Sequence, residues 1–403
     1  MAPGSTAQLN SLRAWAPIGV LGLVTITAYG SWFYAYGVLI DPIAKDTGWS
    51  QTALGAVYAG AQLVMGLGAS FGGRLLDRLG GAYVFGIHAF LGTGLLALAS
   101  FATNPLVFGL LFALGGGTVG ACGFYHITTT AAARIGPGTP ARSISVLTMI
   151  GAFCSPIYLP LTAWLVSEVD WRMTMRILAG IAAGGALLSG AVVPHARAPE
   201  RAGGPSASMV TAVRLAARDR RVRLMLVAAF ASGVAYGAIL VYQVPILVGG
   251  GLALTTAATM GGLRGAFQFV GRVGIVGTSE RFGARRSLVF SYGIAAVGVS
   301  ALLWGGSLIG AGIYAVLVGV ALGAVSPLQA IYGEELYPAA DLGALLGVQS
   351  AMVGLAGAFG PLMAGIMVDL TGGHVPTIWL GVGALVIAST ALSRTSNDAP
   401  NRS

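Results

Sequence analysis

The chain has 403 residues, of which 56% are hydrophobic and only 9% charged, with a mean hydropathy of +0.81. A water-soluble domain carries about a quarter charged residues, so this composition excludes one, and the 63 glycines suit helices that pack backbone to backbone in lipid. The formal charge of +9 follows the loops rather than a surface patch, which argues for a membrane topology and against nucleic acid as a partner.

About 20 apolar residues are needed to cross a bilayer core, and the chain supplies that length twelve times. The spans are expected near 15–40, 52–75, 82–101, 105–130, 143–165, 173–193, 224–248, 255–277, 287–305, 308–332, 343–368 and 376–393. A first bundle over 14–193, a basic linker over 194–223 and a second bundle over 224–394 follow. The linker is rich in Pro, Gly, Ser and Arg, and its Met209 to Arg223 portion is expected to form a short amphipathic helix on an anionic membrane surface. The predicted fold class is an all-α membrane protein of twelve transmembrane helices in two pseudo-symmetric six-helix bundles.

Of the 22 basic residues, 17 fall in the termini and the loops of one side, including Arg74, Arg78, Arg134, Arg142, Arg281, Arg285 and Arg286. That asymmetry places both termini in the cytoplasm. All basic residues but Lys45 are arginine, a usage that points to a GC-rich bacterial gene and so to an inner membrane. Cys122 and Cys154 lie in apolar spans, no cleavable signal is expected, and no metal or cofactor motif is found.

The halves also repeat. Gly73-Arg74-Leu75-Leu76-Asp77-Arg78-Leu79-Gly80 follows span 2, and Glu280-Arg281-Phe282-Gly283-Ala284-Arg285-Arg286 follows span 8. Pro156 in span 5 and Pro361 in span 11 stand at nearly the same offset. Six plus six helices, a basic central loop and the G-x-x-x-D-R-x-G signature resemble the major facilitator superfamily over nearly the whole chain. The second signature is looser, with Glu280 for the aspartate. The resemblance implies an alternating-access carrier with its substrate site between the halves.

Ionisable groups at membrane depth are costly and therefore mark function. Span 8 holds Arg264, Gln268 and Arg272 at i, i+4 and i+8, one face of a helix. Arginine suits a carboxylate because its planar fork donates two parallel hydrogen bonds and stays charged. Each arginine has a plainer reading as well: Arg264 is near enough to the outer end to snorkel, and Arg272 near enough to the inner end to snorkel or to gate with Glu280. Phe267-Gln268-Phe269-Val270-Gly271-Arg272 resembles the eighth-helix pattern of monocarboxylate transporters and the related oxalate–formate antiporter branch. Trp171-Arg172 resembles their entry to helix six. The resemblance implies Arg272 as carboxylate anchor with Gln268 beside it, although Gln268 replaces an aspartate and Tyr34 stands where a lysine is expected.

Tyr34, Tyr125 and Gln243 are the remaining candidates to line a small-anion site, since phenol and amide groups donate hydrogen bonds from apolar walls. No span carries Asp or Glu near its middle, so His126 and His88 are the candidates for proton coupling. Asp77, Arg78, Glu280 and Arg281 are read as cytoplasmic gating residues. The expected function is a secondary active transporter of small organic anions, foremost lactate- or pyruvate-like monocarboxylates, working as a monomer in the lipid bilayer with protons as a candidate coupling ion. An efflux carrier of larger amphiphilic compounds is the alternative, and a membrane-embedded enzyme or sensor a remote one, because no catalytic or nucleotide-binding motif is present.

Overall fold

The computed structural model describes residues 4–193, 214, 217–337 and 342–395, all helices and short connections. Most of the 194–223 linker, including the 209–213 part of the expected amphipathic helix, lies outside the described residues. The long helices are α1 (Arg13–Thr47), α2 (Gln51–Leu79), α3 (Gly81–Ala99), α4 (Pro105–Ile135), α5 (Pro140–Glu168), α6 (Trp171–Val192), α7 (Arg220–Gly249), α8 (Leu254–Phe282), α9 (Ala284–Trp304), α10 (Leu308–Leu336), α11 (Leu342–Thr371) and α12 (Val375–Ser393). Among the described residues, eleven of these are long and apolar enough to cross a membrane. The exception is α8, whose 29 residues would reach about 43 Å at the helical rise. Its length suffices, but threonines, glycines, Arg264 and Gln268 dilute its apolar character.

Helix starts follow from capping chemistry, because the first N–H groups of a helix have no partner within it. Asn104 Oδ1 accepts from Leu106 N at 2.8 Å ahead of α4, with Pro105 at the first helical position. Asp170 does the same for Met173 N before α6, Asp219 for Arg221 N before α7, and Ser307 for Gly310 N before α10. Helix ends follow from glycine. Gly80 (φ +87°) closes α2 and Gly283 (φ +80°) closes α8, a left-handed conformation that a side chain resists. The last glycine of the loop signature and its partner in the second half thus perform the same turn.

The contacts divide the chain into two compact units, one holding residues up to 49 and 60–201, the other 50–59 and 202–403. In the first unit α1 packs on α5 and α6, and α3 on α4 and α6. Two of its helices carry a wide turn, Tyr29–Tyr34 in α1 and His88–Gly92 in α3, and α4 breaks at Phe124 (φ −82°, ψ 173°). Gly116 and Gly120 of α4 allow a close approach: a methyl group at either would press on the Trp32 ring, and at Gly120 also on Met65. At one end of this unit, Asp46 accepts from Trp171 Nε1 at 2.9 Å, while Arg172 donates to the carbonyls of Ser100 and Ala102 at 2.8 and 2.9 Å. The Trp-Arg pair therefore staples α6 to the ends of α1 and α3.

In the second unit α7 packs on α11 and α12, α8 on α10, and α9 on α10 and α12. Close approach of α8 and α10 depends on Gly319 and Gly323, spaced i, i+4. A methyl group there would collide with the backbone carbonyls of Arg264 and Gln268. This unit also takes in the first turns of α2, where Asp369 caps two of the free N–H groups, accepting from Gln51 at 2.9 Å and Thr52 at 2.7 Å, while Ser50 Oγ accepts from Ala53 N at 3.1 Å.

Candidate functional site

Two groups of buried polar side chains lie in the second unit, and α7 contributes to both. Ser232, Tyr236 and Gln243 share one face of that helix, being four and seven residues apart. Gln243 is fully buried. Its Oε1 accepts from Arg264 Nε at 3.1 Å and from the Tyr314 hydroxyl of α10 at 3.0 Å, while its Nε2 donates to Leu240 O at 2.8 Å.

Arg264 itself is 0% exposed, so it does not snorkel outward. The close α8–α10 packing holds it inward, and Gln243 fixes the orientation of its guanidinium. Nη1 and Nη2 are both buried with no hydrogen-bond partner, and no carboxylate among the described residues pairs with it. Removing a cation from water without a counter-charge costs several kcal/mol. Four N–H donors of the guanidinium, two on each of Nη1 and Nη2, thus have no acceptor among the described residues.

About three turns before Gln243, Ser232 belongs to a second polar group. Gln329 of α10 donates to the Tyr292 hydroxyl at 2.8 Å, and Tyr292 of α9 donates to Ser232 Oγ at 3.4 Å. The Tyr236 hydroxyl, also buried, has no hydrogen-bond partner among the described residues.

The other expected site residues are distributed more widely. Arg272 is exposed and Gln268 half-buried, so the i, i+4, i+8 face of α8 is not buried along its length. Glu280 and Arg281 are exposed at the end of α8, where Arg281 lies 5.3 Å from the Phe282 ring. In the first unit, Asp77 pairs with Arg134 of α4 rather than with its neighbour Arg78. Tyr34 and Tyr125 are half-buried in an aromatic cluster built on Tyr29, which stacks on Phe124 at 3.6 Å and lies 5.3 Å from Tyr125 and 6.3 Å from Tyr34. His126 is exposed and shares a hydrogen bond with Ala121 O at 3.1 Å. His88 is fully buried in the wide turn of α3, packed against Gly123, and neither ring nitrogen finds the hydrogen bond expected of a buried histidine. Tyr314, Tyr292 and Gln329 were not singled out by sequence; their only signal is a phenol or amide in the middle of an apolar span.

A cavity of about 630 Å³ opens where α7, α9, α10, α11 and α12 end, with Trp304, Ser307 and His374 on its wall. None of the Arg264 group lines it.

Residues 21–361 match the family model of the Major Facilitator Superfamily. A stretch of 185 residues is 25% identical to the probable galactarate/D-glucarate transporter GudP of Escherichia coli strain K12. That match takes in 45% of this chain and spans only 41% of the relative's length. Among solved structures, a mutant of the nucleoside transporter NupG superposes with a TM-score of 0.81 at 15% identity, covering 94% of this chain and 99% of that one. The xylose transporter XylE of E. coli, in an inward-open conformation, gives 0.73 at 16% identity, covering 97% and 98%. At such identities the structural likeness speaks to the fold alone.

Proposed function

We propose, for a chain that belongs to the Major Facilitator Superfamily and is on that ground a secondary transporter of a membrane, that its cargo is a small organic anion whose carboxylate docks on Arg264. The observation that carries the reading is the fully buried guanidinium with Nη1 and Nη2 unpartnered. A carboxylate is the group that satisfies both at once, through the bidentate fork. Gln243 and Tyr314 then act as positioning residues that hold Nε and aim the fork.

Within anions, a short monocarboxylate of the lactate or pyruvate kind suits one cation in an apolar surround and agrees with the resemblance of 267–272 to monocarboxylate carriers. A second reading, a hydroxylated sugar acid, is favoured by the likeness to GudP. Arg272 and Gln268 keep a proposed part as a second contact on α8, and Tyr34 and Tyr125 as contacts supplied by the first unit. His126 and His88 stand as proposed proton carriers. Asp77 with Arg134, Arg78, Glu280 and Arg281 are proposed to hold helix ends during gating. A bacterial inner membrane with both termini cytoplasmic is the proposed setting.

The test is uptake of a labelled panel of lactate, pyruvate and glucarate into proteoliposomes, with wild type beside Arg264→Gln and Arg272→Gln. Loss of a bidentate charge-assisted contact lowers apparent affinity by about a hundredfold, so Arg264→Gln should abolish uptake of whichever acid the wild type carries. Undiminished uptake by Arg264→Gln overturns the reading. Loss confined to Arg272→Gln moves the anchor to the inner end of α8.

A further inference from the structure

The two arginines in the first turns of α6 differ in what satisfies them. Arg172 donates to the carbonyls of Ser100 and Ala102, lies 3.8 Å from Asp46 and stands 4.2 Å from the Trp171 ring, so its charge is met within the fold. Arg176, four residues on, has no such set. Its guanidinium stands 4.9 Å from the Phe101 ring, its buried Nε has no hydrogen-bond partner, and no carboxylate among the described residues pairs with it. Like charges at i, i+4 repel, so the pair is destabilising unless an anion joins it. On the expected topology this end of α6 is the non-cytoplasmic one, where the positive-inside trend disfavours arginine.

The helix surface below Arg176 is bare. Gly180 and Gly184 follow at i+4 and i+8, on the same face; both are exposed, and a methyl group at either would meet nothing within 4 Å. This strip of backbone runs about 12 Å along α6 from Arg176 toward the middle of the span. Beside its upper end, Leu98 and Phe101 at the end of α3 are exposed as well.

We infer that Arg176 anchors the phosphodiester of an anionic phospholipid whose acyl chain lies along the Gly180–Gly184 strip. Side chains tilt toward the start of their helix, and Phe101 stands two residues past the end of α3, so the guanidinium lies at the level where the helices end and headgroups begin. A phosphate meets its parallel N–H donors, which the ring of Phe101 does not. The lipid is net anionic because no carboxylate balances Arg176, and the ammonium of a zwitterionic headgroup would add positive charge beside it. A lipid rather than free phosphate is the occupant because the apolar strip is continuous with the cation. The inference is independent of the cargo and of Arg264.

The test measures apparent dissociation constants by native mass spectrometry of the full-length protein in detergent. The probes are phosphatidylglycerol, phosphatidylethanolamine and glycerophosphoglycerol, the first lipid's headgroup without its chains. At the tightest site of the wild type, phosphatidylglycerol should bind about threefold more tightly than phosphatidylethanolamine, the scale of one exposed charge contact. Glycerophosphoglycerol should bind far more weakly than either, having no chain to bury. Arg176→Gln should weaken phosphatidylglycerol binding about tenfold, the worth of a charge-assisted hydrogen bond. Arg286→Gln, which removes an exposed arginine elsewhere, should not change it. Gly180→Leu covers the strip and should weaken the lipid severalfold while leaving glycerophosphoglycerol unaffected. Unchanged binding in Arg176→Gln, or an equal loss in Arg286→Gln, overturns the site. Equal affinity for the two phospholipids overturns the anionic assignment. Glycerophosphoglycerol binding as tightly as the lipid, or Gly180→Leu binding the lipid as well as wild type, overturns the lipid as occupant. Should Arg176→Gln not fold, Gly180→Leu on the exposed face decides alone.

Discussion

Gln243 shows how one amide can decide the fate of a buried cation. Its single oxygen accepts from Arg264 Nε and from the Tyr314 hydroxyl, so removing it strands two donors, one of them charged. Gln243→Leu should therefore destabilise the protein by about 3 kcal/mol, whereas Tyr314→Phe removes one neutral donor and should cost about 1 kcal/mol. Denaturant unfolding in mixed micelles checks the ratio; equal costs would mean that Arg264 has found another acceptor. At this scale the sequence is legible as chemistry but not as geometry. Arg264, Gln268 and Arg272 are conspicuous in a run of apolar residues, and Gln243 is visible as an amide in a span. Which arginine turns inward depends on what packs against each helix face. That is set by Gly319 and Gly323, more than fifty positions along the chain from Arg264.

Among the elements, α8 and α10 carry the arrangement, because their backbones meet where Arg264 and Gln268 sit. Replacing Gly319 by Ala forces a methyl group onto the Arg264 carbonyl and should cost about 1–3 kcal/mol by overpacking. It should also weaken anion binding, since the guanidinium moves with its backbone. Gly312 on the same helix has open space beside it, and Gly312→Ala serves as the control that should leave binding unchanged. The start of α2 offers a different check. Asp369 caps Gln51 and Thr52 through both oxygens. Asp369→Ala should cost about 2 kcal/mol and Asp369→Asn about 1 kcal/mol, because asparagine keeps one accepting oxygen and faces the second N–H with a donor. A loss in Asp369→Asn as large as in Asp369→Ala would assign the role to charge instead. Helix existence and order were legible from apolar length alone. The wide turns at Tyr29–Tyr34 and His88–Gly92 were not, because they express local tertiary fit rather than any breaker residue.

For the molecule as a whole, the internal repeat is the feature that sequence and structure share most plainly. Asp77 and Glu280 mark it as charge; Gly80 and Gly283 mark it as conformation, each turning the chain out of its helix with positive φ. Substrate identity is not legible at this scale, since the same twelve-helix plan is shared with carriers of nucleosides and of xylose. The meagre apolar content of α8 has a consequence for biogenesis. An arginine at the centre of a span costs about 2.5–3.5 kcal/mol to insert, and α8 carries Arg264 ten residues from its start and Arg272 eight further on. Emerging alone from the ribosome, α8 should fail to partition into the bilayer. It should enter once α7, already made, supplies Gln243 as an acceptor. In a glycosylation-mapped insertion assay, the α8 segment by itself should remain largely uninserted, the α7–α8 pair should insert, and Arg264→Leu should let α8 insert unaided. Efficient insertion of wild-type α8 alone would show that its entry needs no partner, so that the helix carrying Arg264 is not one whose assembly must wait for its neighbours.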